Sequence, residues 1–275
     1  MRCRSAAEQE PLAGTAPVAL TWWLIEVPGS WGKRAVEGCR IAAVSRLRSD
    51  DQRRVLLIRR PGHHPATSAD APVRVWVGRG VGGPLQSLRM HPDDLVTADS
   101  APTLDAWACE PAQDQPRLLI CTNAARDACC GIDGRALVRS LGTHPGVWEC
   151  SHLGGHRFAP TALHVIQGMV YGRLTPDTAR RVIDSDTVDP RWADVMRGSP
   201  GLAPQLQAAQ IALLNDYGRH PDSLHQHDEG TVGFTLGDSS GLLAISRQQV
   251  GSWPVSCGGD TEPASGWQVR DISPA

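Results

Sequence analysis

An α/β fold of the α+β kind is what this chain predicts, on three observations. Short apolar runs of four to eight residues end at Pro-Gly or Gly-Gly, as buried strands do. Between some of them, apolar residues recur at helical spacing. The same order then occurs twice: strand, helix, strand, strand, strand, helix. That is the order of a thioredoxin-like unit. The expectation is two thioredoxin-like domains, residues 1–110 without ligands and 117–198 carrying ligand loops. A C-terminal helix and β extension would occupy 199–275.

Residues 1–17 read as irregular, with Pro11, Gly14 and Pro17. Leu20 to Val27 predicts a strand stopped by Pro28-Gly29. Ala35 to Leu47 predicts a helix, with Val36, Cys39, Ile41, Val44 and Leu47 on one face. Val55 to Ile58, Val73 to Val77 and Gln86 to Met90 predict three strands. Pro92-Asp93-Asp94-Leu95 has proline early and acids in a first turn, so it reads as a helix start. The polar stretch Glu110 to Pro116 reads as a linker.

The second copy begins with Leu118-Leu119-Ile120, ending at Cys121. A helix through Gly131 to Leu141 follows, with Ile132, Leu137, Val138 and Leu141 periodic, and then a strand at Val147-Trp148. A hairpin at Ala162–Ile166 and Met169–Leu174 turns around Gln167-Gly168. Thr175-Pro176-Asp177 opens a helix to about Ser185, Thr being a good N-cap and Pro suiting the first turn. Beyond it, Pro204 to Tyr217 predicts a helix, and Thr231–Leu236, Leu242–Ser246 and Trp267–Val269 predict strands.

A net charge of −2 over 275 residues, with no Lys/Arg-rich run, argues against nucleic acid as a partner. No stretch approaches the ~20 apolar residues that cross a bilayer, and the N-terminus lacks the apolar core of a secretory signal. The expectation is a cytoplasmic protein without a membrane partner. There, eight cysteines serve more naturally as thiols or metal ligands than as disulfides.

The informative stretch is 117–156. Strand, helix, strand makes a βαβ unit, whose parallel strands end on one edge of the sheet. Cys121 ends the first strand, Cys130 opens the helix leaving that edge, and His152 and His156 follow the second strand around Gly154-Gly155. Two sulfurs and two imidazoles therefore converge. The reading is a metal site, preferably a 2Fe–2S cluster, with tetrahedral zinc the competitor for the same donors. A helix start favours a thiolate at Cys130. Cys129 diverges from it by roughly 100°, so it is a spare ligand or a packed small hydrophobe.

These residues resemble the sucrase/ferredoxin-like family, a branch of the thioredoxin-like 2Fe–2S ferredoxins. The likeness rests on Cys121, Arg126-Asp127, Cys130-Gly131 and Ser151-His152-Leu153-Gly154-Gly155-His156-Arg157-Phe158-Ala159. Tyr171-Gly172-Arg173-Leu174, Glu10 to Ala16 and Val27 to Gly32 carry it further. The resemblance implies a one-electron carrier whose cluster is held by Cys121, Cys130, His152 and His156. It implies a pH-coupled potential and partners of two kinds, a reductase and an acceptor. Asn123 stands where the family usually has His, two residues after its first cysteine. Around the ligands, Asn123, Arg126, Cys129, Gly154, Gly155 and Arg157 form the expected surroundings, with Arg126 and Arg157 stabilising negative charge or docking a partner. No pair of glycosidase carboxylates is apparent, so sucrase activity finds no support.

Other readings stay open. A thiol redox enzyme using Cys129 and Cys130 is one, although vicinal cysteines are not C-x-x-C. His225-Gln226-His227-Asp228, near His220, reads as a solvated polar loop. Gly78 to Gly83 lacks the Gly-Lys-Ser/Thr ending of a phosphate loop and reads as a turn. Cys3, Cys39, Cys109, Cys150 and Cys257 lack a partner spacing. Cys39 falls on the apolar helix face and Cys150 packs beneath the site.

Overall fold

The computed structural model describes residues 2–50, 52–62, 68–95 and 115–272. A short helix α1 (Cys3–Ala6) precedes β1 (Thr21–Glu26), α2 (Ala42–Arg46), β2 (Arg53–Arg59), β3 (Val73–Arg79) and β4 (Gln86–Met90). The helix expected over 35–47 is only α2. Gly38 weakens a helix by about 1 kcal/mol relative to Ala, and Ile41 is extended (φ −81°, ψ 108°). Val36, Cys39 and Ile41 nevertheless pack inward. The expected linker lies almost wholly outside the described residues, as does Cys109; of the helix start at Pro92, only the turn through Leu95 is described.

The second run comprises β5 (Leu118–Cys121), α3 (Arg135–Leu141), β6 (Val147–Cys150), β7 (Ala162–His164), β8 (Met169–Tyr171) and α4 (Pro176–Asp184). The Thr175 hydroxyl caps α4 by accepting from the Thr178 N–H. Then come β9 (Met196–Gly198), α5 (Pro204–Tyr217), β10 (Ser223–Asp228), β11 (Thr231–Leu236), β12 (Ser239–Pro254) and β13 (Thr261–Asp271). The 223–228 segment is thus a strand rather than a loop. Its polar side chains misled the reading, because an edge strand keeps charged and polar groups outward; Leu224 alone turns in, opposite Phe234.

Nine strands form one sheet in the order β4-β3-β1-β2-β6-β5-β7-β8-β9, and β10 to β13 form a second. The architecture is α+β. Within the large sheet the order β4-β3-β1-β2 is repeated as β8-β7-β5-β6, with the first two strands of each run parallel and the later ones antiparallel. The two runs meet where β2 pairs antiparallel with β6, Ile58 opposite Cys150.

Alternation along the strands sends residues to opposite faces. Trp22, Leu24, Leu56, Ile58 and Trp76 join Leu119, Cys121, Trp148 and Cys150 in one core shared by both runs. Ile25, Val55 and Leu57 pack on α2 instead, while Leu118, Ile120 and Val147 pack against α3, α4 and α5. The shared face is closed by turns: the Gly83 N–H donates to the Ile166 carbonyl at 2.7 Å, and the Gly80–Gly83 turn lies against Gly168 and Gly201. It leads to no helix, in keeping with a turn rather than a phosphate loop.

Candidate metal centre

Parallel pairing sets Cys121 and Cys150 opposite each other at the carboxyl ends of β5 and β6. The loop after Cys121 folds on itself, the Arg126 and Asp127 N–H groups donating to the Asn123 carbonyl. Asn123 is buried; its amide donates to the Gly32 carbonyl at 3.0 Å and its oxygen accepts from the Arg126 N–H. Asn123 thus clamps the loop after β5 to the first run.

A single π-turn over Cys130–Gly134 leads into α3, a distortion that helices often carry at functional sites. Gly134 makes it possible: a Cβ there would lie 2.0 Å from the Cys121 carbonyl oxygen. After β6, Gly154 and Gly155 take positive φ (87° and 69°) and deliver His156 into a short 3-10 turn. A Cβ on Gly155 would meet the Arg197 guanidinium at 2.5 Å. Arg197 is buried, donates to the Gly154 carbonyl at 2.9 Å and is anchored on Thr15.

The outcome at the ligand positions is specific. One donor atom each from Cys121, Cys130 and His152 lies within 4.8 Å of the others. His156 is not in that group. Its ring stacks on His152, centroids 5.4 Å apart, and its Nε2 faces Asp127 Oδ2 at 3.8 Å. The Nδ1 atoms of His152 and His156 are both buried without a hydrogen-bond partner. Buried polar atoms are seldom left so, and an orphaned imidazole nitrogen beside two thiols is what a ligand position leaves behind.

The charge distribution departs from expectation. Cys130 was to be the thiolate, yet its pKa is raised, first by its hydrogen bond to Cys121 and then by burial. Cys121 moves well below the ordinary thiol range because Cys130, Cys150 and His152 all hydrogen-bond to it. Cys121 is the common acceptor of the group. Burial pushes Cys150 up, so it is the neutral thiol beneath the site. Burial also lowers His156, against the pull of Asp127.

Cys129 and Cys130 point into different clusters, as their helical offset requires. Cys129 joins Cys3, Asp127 and Cys257. Burial pushes its thiol up to about 11. Arg157 is bound to the buried Glu10 carboxylate, its Nη2 at 2.7 Å from Oε1, so it fixes the N-terminal segment. Arg126 is exposed beside His156.

Sequence reading missed two cations close to the cysteines, the half-buried Arg54 and the buried Arg197. A lone Arg in a strand carries no signal of where it points. Burial lowers Arg197 to about 9. The metal-type donor set with orphaned imidazoles suits iron–sulfur or zinc chemistry. No described helix is long and apolar enough to cross a membrane.

A family model described as sucrase/ferredoxin-like matches residues 12–198. No curated protein matches the chain. No solved structure matches it either.

Proposed function

Because the chain belongs to the sucrase/ferredoxin-like family, we propose that it is a ferredoxin-like one-electron carrier with a 2Fe–2S cluster on Cys121, Cys130, His152 and His156. The observation that carries this reading is the meeting of Cys121, Cys130 and His152 within 4.8 Å, beside two imidazoles whose Nδ1 atoms lack partners.

The cluster, when bound, supplies reversible one-electron chemistry. The chain does the rest. Cys121 and Cys130 would hold the cluster as negative sulfur donors, and the imidazoles as neutral nitrogen donors. Fewer negative ligands favour the reduced state, so the potential belongs with His-ligated centres, roughly −150 to +300 mV, rather than near −400 mV for all-Cys plant-type ferredoxins. Arg54, half-buried, and Arg197, buried, act in the same direction by offsetting negative charge. The outer nitrogen of His156 faces Asp127, which orients the ring as an outer carboxylate does for metal-bound histidines. A proton held at Nε2 there couples electron uptake to pH. The potential falls as pH rises, by up to about 59 mV per unit for one proton per electron.

The reductase and acceptor are protein or small-molecule redox partners that exchange single electrons. The seven described cysteines are all free thiols, which suits a reducing cytoplasm.

Anaerobic purification, metal analysis and EPR of the dithionite-reduced protein test the reading. Two irons per chain, visible charge-transfer bands and a rhombic signal of low average g are expected. A colourless protein with one zinc lost in both Cys121→Ala and His152→Ala would replace the cluster by a structural zinc. Thiol-dependent turnover abolished in Cys129→Ser but intact in His152→Ala would support a thiol redox enzyme instead.

A further inference from the structure

Three cysteines without any sequence spacing come together next to the first site. Cys3 lies in α1, Cys129 precedes the π-turn, and Cys257 lies in the turn joining β12 to β13. Their sulfurs form a triangle with edges of 3.6 Å (Cys3–Cys129), 3.3 Å (Cys129–Cys257) and 3.6 Å (Cys257–Cys3). Thiolates at about 2.3 Å around a tetrahedral zinc stand ~3.8 Å apart, so a small outward shift of each sulfur completes that geometry. Asp127 brings its Oδ1 to 3.8 Å from the Cys3 sulfur, and all four donors lie within 4.8 Å of one another.

Plain packing of small hydrophobes is the competing account. It does not explain the carboxylate. Asp127 is 5% exposed among the thiols and is held there by N–H groups of Cys129 and Cys257, each at 2.8 Å. Nor does the composition suit an apolar cluster, since Ala159 is the one aliphatic residue grouped with the three thiols. The cationic side is supplied too: Arg2 and Arg4 bridge to Asp133, at 2.9 and 3.5 Å, alongside the triangle.

We propose that Cys3, Cys129 and Cys257, with Asp127 as fourth donor, form a second metal site that binds one thiophilic divalent cation of the zinc type. Binding converts three thiols to thiolates and releases three protons to solvent, with no change of oxidation state. The ion ties the N-terminal segment and the β12–β13 turn to the loop that carries Cys130. None of its four ligands is one of those proposed for the cluster; Asp127 touches both sites, through His156 Nε2.

The full chain, purified anaerobically and dialysed with zinc followed by a weak chelator, is analysed for iron and zinc. One zinc per chain is expected in the native sequence. Cys3→Ser and Cys257→Ser are each expected to lower zinc at least fivefold while the iron content and visible spectrum persist. In Cys121→Ser the iron is lost and the zinc stays. Because a variant can misfold, native protein that retains its iron and has lost its zinc to the chelator is also titrated with Co2+, which should saturate at one equivalent with added thiolate-to-cobalt charge-transfer absorption. A native chain that keeps no zinc and gives no such absorption overturns the proposal. So does zinc that survives both Cys3→Ser and Cys257→Ser, or a Cys129–Cys257 disulfide found by mass spectrometry in protein prepared without oxidant.

Discussion

Gly134 and Asn123 decide how closely the two cysteine-bearing segments approach. Gly134→Ala places a methyl 2.0 Å from the Cys121 carbonyl oxygen, which is backbone and cannot rotate away. The expected cost is about 1–3 kcal/mol, read by urea denaturation, together with diminished metal content. Asn123→Ala removes the side-chain bond to the Gly32 carbonyl, a net loss of about 0.5–1.5 kcal/mol, while the Arg126 N–H keeps the Asn123 backbone carbonyl. His164 is a separate case, fully buried in β7 with its Nδ1 accepting from the Gln167 N–H. Burial, then the charge of Arg117, lowers its pKa from 6.5 to about 4. Above pH 6.5 neither state binds its proton and the full stability is present. As pH falls from 6.5 to 4, the unfolded chain takes up the proton first, so stability drops by about 3 kcal/mol in total. His164→Gln should flatten that part of the pH–stability curve, measured by denaturant titration at pH 7.5 and 4.5. His156 and His220 are also lowered by burial and add in the same sense, so the drop shrinks without vanishing.

Among the elements, α4 was legible to within a residue at each end because Thr175, Pro176 and Asp177 form a start signal that acts locally. Thr175→Ala removes the cap on the Thr178 N–H and should cost about 1 kcal/mol, measurable as a lowered thermal midpoint. The α5 span was equally readable, from Pro204 at its first turn to Gly218 at its end in the left-handed region (φ 70°). β10 was not, since its hydrogen bonds come from β11 and its own side chains give no period-two pattern. The π-turn at Cys130 was invisible for a similar reason: the close approach of Gly134 to β5 is a contact between elements.

Across the molecule, the C-terminal region does more than extend the fold. Ile211 and Leu214 of α5 belong to the core beneath β5, β6 and β8. Trp253, on the long β12–β13 hairpin, donates to Glu10 at 2.6 Å, the same carboxylate that holds Arg157. A chain ending at residue 198 would expose that core face. It should lack a cooperative thermal transition, whereas an extension docked as an independent unit would leave the transition intact. The N-terminal segment is fixed equally firmly, with the Arg173 guanidinium donating to the Ala7 and Glu10 carbonyls at 2.6 and 2.7 Å. The N-terminal segment and the β12–β13 hairpin thus converge on the loops after β5 and β6.

By itself the sequence determined the repeated strand order and the meeting of Cys121, Cys130 and His152, because apolar periodicity and the placement of these residues at strand and helix ends are local. It also determined that Cys129 and Cys130 diverge, since 3.6 residues per turn is fixed by the backbone. Only the tertiary structure decided that the two runs share one sheet and that Arg197 holds the Gly154-Gly155 turn. It alone grouped Cys3, Cys129 and Cys257, up to 254 residues apart. Pairings over such separations depend on how the elements pack, and no spacing along the chain encodes that.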